Sequence, residues 1–152
     1  MDTSSTTATT QPAVSTPAKQ VWPALAARDA RALIAFLAEA FGFVEVCVHG
    51  EGGHVAHAEL AWPEGGGVML GSAGPDPGPD SWGGQPGTFG CYVVTDRPDE
   101  LCARARAAGA AIFREPHDTD YGSRDFAARD PEGNRWSFGT YRGEPHHADA
   151  RG

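Results

Sequence analysis

Apolar positions along the chain recur in two periods, mostly two and twice three to four, and the alternation of these periods predicts the elements. The run at 21–27, VWPALAA, predicts a short strand. Asp29 then stands where a helix N-cap belongs. Leu33, Phe36, Leu37, Ala40 and Phe41 follow at helical spacing, and Gly42 closes the helix. The segments 43–49 and 54–62 alternate like strands, and a turn at 63–67 leads into a third, VMLG. The same order then returns: a strand at 89–95, a helix capped by Asp96 with Pro98 in its first turn and running to Gly109, a strand at 110–115, a loop at 117–123, and a final hairpin.

Between the halves, 72–87 holds four prolines and five glycines and predicts a linker, with Trp82 its one large apolar residue. Residues 62–71, WPEGGGVMLG, and 130–139, DPEGNRWSFG, are two versions of one hairpin 68 positions apart. The helix caps Asp29 and Asp96 lie 67 apart. Two landmarks at nearly one offset indicate an internal duplication of a β-α-β-β-β unit, with modules at 20–71 and 88–142. The predicted fold class is α+β: two βαβββ modules packed as one domain, 20–142, around a concave cavity. In that picture the sheets meet edge to edge, helices lie outside, and the open sheet faces form the cavity wall.

Composition narrows the partners. A net charge of −8 argues against nucleic acid and anionic membranes, and no apolar run approaches the roughly 18 residues of a membrane-spanning helix. Cys47, Cys91 and Cys102 lack CxxC spacing and sit in apolar runs, which predicts reduced, buried thiols and a cytoplasmic location. The first 19 residues are Ser/Thr/Ala/Pro-rich without a secretory pattern and predict a disordered leader. The tail, 143–152, is polar and predicts a flexible segment in which His146 and His147 are solvated.

The paired modules, with the signature YGSRDFAARDPEGNRWSFGTY at 121–141 and HAEL followed by VMLG in the first half, resemble the vicinal oxygen chelate superfamily, in its glyoxalase/bleomycin-resistance branch. That superfamily includes glyoxalase I, extradiol dioxygenases, fosfomycin-resistance enzymes and bleomycin-resistance proteins. The resemblance implies a divalent metal held by His, Glu or Gln from the first and last strands of each module. Carried over by spacing, those positions fall on Trp22, Phe89, Met69 and Ser137, none a usual hard-metal ligand. The expectation is therefore no metal and no cofactor. Trp22, Phe89 and Met69 would instead hold a flat apolar ligand by burial and stacking, or else fill the cavity as core.

Strand parity sends His57 and Glu59 to one face, and the offset of 68 maps His57 onto Asp125. The three would hydrogen-bond a ligand, make structural contacts, or, with His57 and Glu59 as an acid/base pair, serve a lyase, isomerase or cyclase. With Asp125 they are also a possible relocated metal set. Tyr121 lies near the expected cavity mouth, and Cys91 on the first strand of the second half joins the candidates. Trp82 is either an anchor at the core edge or a lid. Arg124 alternates outward to an ion pair, and Trp136 and Phe138 flank Ser137 toward the core. The resulting expectation is a homodimer that sequesters a hydrophobic or aromatic natural product or antibiotic, with the glyoxalase-like enzyme as its alternative.

Overall fold

The computed structural model describes residues 19–145; the predicted leader up to residue 18 and the His146–His147 pair lie outside the described residues. The chain forms β1 (Ala24–Ala27), α1 (Ala30–Phe36), β2 (Val44–Glu51), β3 (His54–Ala61), β4 (Gly67–Ser72), β5 (Gly90–Val94), α2 (Pro98–Ala107), β6 (Ala111–Asp118), β7 (Arg124–Arg129) and β8 (Arg135–Gly139). These make two four-stranded sheets, ordered β1-β4-β3-β2 and β5-β8-β7-β6, in which the first strand of each module pairs parallel with the last.

The duplication is visible in the register. Ala24 pairs with Met69, and Tyr92 with Ser137; Glu59 pairs with Met69, and Ala127 with Ser137. Each member of the second pair lies 68 positions after its counterpart. The same offset carries the N-cap Asp29, whose carboxylate accepts from Ala32 N–H at 3.1 Å, onto Arg97. Arg97, and not the predicted Asp96, is the N-cap of α2, without a side-chain cap; Asp96 instead pairs with Arg142. Here Pro98 occupies the first helical turn, where its missing N–H costs nothing.

Two further elements differ from the sequence pattern. After Phe36 the first helix widens into a π-helical turn over Leu37–Phe41, which Gly42 ends at φ +87°. β6 runs on through Pro116 to Asp118, two residues into the predicted loop. It is an edge strand, where a residue without an N–H is tolerated.

The core joins the helix-covered sides of both sheets. Phe41, on the π turn, meets Phe138 of β8 at a ring-centroid distance of 4.7 Å, and Phe43 meets Trp136 at 5.5 Å. From α2, Arg104 donates to the carbonyls of Glu39 (2.8 Å) and Ala38 (3.1 Å), closing the end of the first helical segment. The helical segments of the two modules thus pack on each other, and the expectation that they lie outside a shared cavity is corrected.

The second hairpin turn locks this arrangement. The buried Asp130 carboxylate accepts from Glu132 N (2.9 Å), Asn134 N (3.0 Å), Asn134 Nδ2 (2.8 Å) and Trp136 Nε1 (2.9 Å). Asn134 Oδ1 accepts from Phe89 N at 3.0 Å. Glu132 reaches the other module, accepting from the backbone N–H groups of Arg28 and Asp29 at the start of α1. In the first hairpin the corresponding residues are Trp62, Glu64 and Gly66, and there the cross-module bond is Trp62 Nε1 to Val94 O at 3.0 Å.

Candidate functional site

Each sheet buries one face and leaves one open. On the first sheet, alternation puts Ala58, Leu60, Val68 and Leu70 in the core and turns Cys47, His57, Glu59 and Met69 outward, while a register shift between His49 and Gly50 returns Val55 to the core side. Gly67 and Gly71 flank Met69 on the same side. A Cβ on Gly67 would stand 3.0 Å from Cζ3 of Trp22, and one on Gly71 would stand 3.5 Å from Cζ3 of Trp82. Two indoles therefore lie on the bare glycine positions of β4, one on each side of the Met69 thioether.

Trp22 precedes β1 and does not belong to the strand predicted for it; its indole N–H donates to Lys19 O at 3.2 Å. Trp82, from the linker, is 55% exposed, so it lies over the sheet face and not in the core edge. Beside this wall, Glu59 accepts from His57 Nε2 at 2.9 Å and from the Cys47 thiol at 3.3 Å. Cys47 is directly opposite Glu59 across the strand pair, and His49 opposite His57, their rings stacked at 6.4 Å. The hydrogen bonds from His57 and Cys47 hold the Glu59 carboxyl below its ordinary pKa. Partial desolvation and the neighbouring carboxylate push the Cys47 thiol up.

The open face of the second sheet carries Tyr92, Asp125 and Ser137. Asp125 accepts from the hydroxyls of Ser123 and Tyr121, the latter at 3.2 Å. Tyr92 O–H donates to Tyr141 O at 2.8 Å, and Tyr121 meets Tyr141 edge-on at 5.5 Å. Burial pushes the Tyr92 phenol up. Tyr121 thus links the Asp125 carboxylate to the Tyr141 ring, and Tyr92 bonds the Tyr141 backbone. Arg124 points elsewhere, as its parity predicts, to a two-bond pair with Asp99 (2.7 and 2.9 Å) and to Asp118.

Of the residues nominated from sequence, His57, Glu59, Met69, Trp22 and Trp82 are brought together on the first sheet, and Asp125, Tyr121 and Ser137 on the second. No cavity among those described is lined by both groups, so Asp125 does not join His57 and Glu59 within one chain. Phe89 is corrected outright. Its ring packs on Trp136 at 5.4 Å, on the core side. The cap spacing of 67 put the second module one residue out of register, and in a strand one residue reverses the face. Tyr92, its neighbour Tyr141 and Cys47 were missed; the hairpin offset of 68, which fixes the register of the second module, was the signal for Tyr92, and the register shift in β2 beside Cys47 left none for that residue. Cys91 also faces the core side and helps line a crease of about 400 Å³ between the modules, with Val21, Pro23, Trp62 and Tyr92.

With fold and faces described, the family is plain: the profile of the Glyoxalase/Bleomycin resistance protein/Dioxygenase superfamily matches residues 19–138, and the chain belongs to it. Among solved structures it is similar to TioX from Micromonospora sp. ML1, with 30% identity, TM-score 0.67, and coverage of 80% of this chain and 97% of that one. A glyoxalase/bleomycin resistance protein from Streptomyces sp. CB03234 shares 25% identity at TM-score 0.57, covering 76% and 94%. TnmS3, an antibiotic binding protein from the same Streptomyces strain, shares 24% at TM-score 0.60, covering 80% and 95%. No curated protein matches the sequence.

The metal centre that the family implies does not fit these residues. Of the positions carried over from the family, Trp22 and Met69 lie on the open face of the first sheet, Ser137 lies on that of the second, and Phe89 lies in the core. That set contains neither imidazole nor carboxylate, so no chemistry is derived through such a metal. No helix among the described residues is long and apolar enough to cross a membrane.

Proposed function

We propose that this protein sequesters a hydrophobic or aromatic small molecule, a natural product or antibiotic, in the cytoplasm, without changing it and without a metal at the family's central position. The observation that carries this reading is the wall of Trp22, Met69 and Trp82 on the first sheet's open face. Two indoles at glycine positions with a thioether between them make a flat, polarizable surface suited to stacking and apolar burial. The fold is one that in TnmS3 serves antibiotic binding.

A single chain offers this wall on one side only, and the tyrosine-rich face belongs to the other sheet. Sequestration then calls for a homodimer, in which the first sheet of one copy faces the second sheet of another and the ligand lies between them. Exposed Val44 and Tyr92 on these faces supply apolar surface for such a contact. The test is a titration of tryptophan fluorescence with a panel of flat aromatic antibiotics, followed by recovery of the ligand. Saturable quenching with one ligand per site and unchanged ligand mass is expected; a new product overturns the reading.

The alternative, a lyase, isomerase or cyclase, draws on the 2.9 Å contact between His57 and Glu59. Against it, a carboxylate held below its ordinary pKa is a weak base at neutral pH. In that reading turnover collapses in Glu59→Gln.

A further inference from the structure

We propose that Cys47, His57 and Glu59 form a binding site for a divalent cation of borderline softness, Zn²⁺ foremost, on the open face of the first sheet. The three offer a thiolate sulfur, an imidazole nitrogen and a carboxylate oxygen, and these ligand atoms lie within 4.8 Å of one another. Strand geometry sets this convergence. Cys47 stands opposite Glu59 in the β2–β3 ladder, and His57 is two residues before Glu59, hence on the same face.

The spacing suits a tetrahedral ion. Zinc bonds of about 2.3 Å to sulfur and about 2.0–2.2 Å to nitrogen and oxygen require ligand–ligand edges of roughly 3.3–3.6 Å. The present separations are 2.9 Å from His57 Nε2 to Glu59 Oε2 and 3.3 Å from Cys47 Sγ to the same oxygen. A small rotation of the Glu59 side chain opens room for the ion while the strands stay fixed. The mixed S, N, O set favours zinc over the hard ions magnesium and calcium, which take oxygen.

Cys47 distinguishes this cluster from an ordinary histidine–glutamate pair. A thiol is a weak donor to a carboxylate, whereas a thiolate is a strong zinc ligand, and binding would release the thiol proton to solvent. Three protein ligands leave a fourth position on the open side, available to water or to an oxygen or nitrogen donor of a bound molecule. Asp125, the third ligand suggested by the sequence offset, takes no part because it lies on the other sheet. The site is also separate from the family's central metal, and the aromatic wall does not depend on it, so sequestration and cation binding can fail independently.

The test uses the full chain, stripped with a chelator and titrated with Zn²⁺ by calorimetry and with Co²⁺ by absorption spectroscopy. One ion per chain is expected, with a cobalt–thiolate charge-transfer band. Cys47→Ser should abolish the band. Cys47→Ser and His57→Ala should each weaken binding by more than the roughly 10–100-fold that loss of an outer partner costs. Cys102→Ser and the double variant His146→Ala/His147→Ala should leave band and affinity unchanged, with circular dichroism confirming that every variant folds. Absence of stoichiometric binding, a cobalt spectrum without a thiolate band, or binding that survives Cys47→Ser and His57→Ala would each overturn the proposal.

Discussion

Trp82 lies against Gly71: a Cβ at that glycine would stand 3.5 Å from the indole Cζ3. The linker residue is thereby held over β4 while more than half of it stays in solvent, so it is not an anchor in the core edge.

Trp82→Ala should accordingly separate binding from folding. Little apolar burial is lost in the free protein, so its denaturation midpoint should shift by the equivalent of no more than about 0.5 kcal/mol. Ligand affinity should fall by about 1.5 kcal/mol, roughly tenfold, measured by calorimetry with the antibiotic that gives the strongest quenching.

Asp130→Ala should behave in the opposite way. It strands the Trp136 indole N–H, the Asn134 amide and two backbone N–H groups around a buried position. A loss of about 3 kcal/mol or more in urea denaturation is expected. Glu132→Ala removes the cross-module acceptor of Arg28 and Asp29 N–H, with the 3.9 Å contact to the Arg28 guanidinium, and should cost about 1–2 kcal/mol.

The Arg124–Asp99 pair predicts a pH dependence. Hydrogen bonds from Arg124 hold the Asp99 carboxyl below its ordinary pKa. A depressed folded-state pKa gives stability that is present above the unfolded-state value and is lost as pH falls through the folded one. The pair is exposed, so the effect on stability is small, and the direct measurement is the Asp99 carboxyl titration by NMR. Arg124→Gln should move that titration upward toward the ordinary aspartate value.

How far the sequence reached is clearest at Phe89 and Met69. Both were placed by counting from local landmarks. Met69 was counted from the hairpin turn, whose Pro-Glu-Gly is fixed in register, and it lies on the open face. Phe89 was counted from a helix cap, where Arg97 stands in place of Asp96, and the single-residue slip put a core ring on the wrong face. The duplicated modules and the order of their elements were legible because period two and period 3.6 are local properties. Which faces meet was not. It depends on Phe41, Phe43, Trp136 and Phe138 packing across modules, and no local pattern distinguishes a ring that covers its own sheet from one that crosses to the other. The Cys47–Glu59 contact was hidden for a related reason: the β2–β3 register shifts between Glu45 and Cys47.

Native mass spectrometry of the purified protein, incubated with the antibiotic that gives the strongest quenching and then treated with a chelator, tests the central claim most directly. The account predicts a dimer that retains the organic molecule after the chelator and releases it at its original mass on denaturation. A monomer that retains nothing, or a released molecule of altered mass, would contradict it.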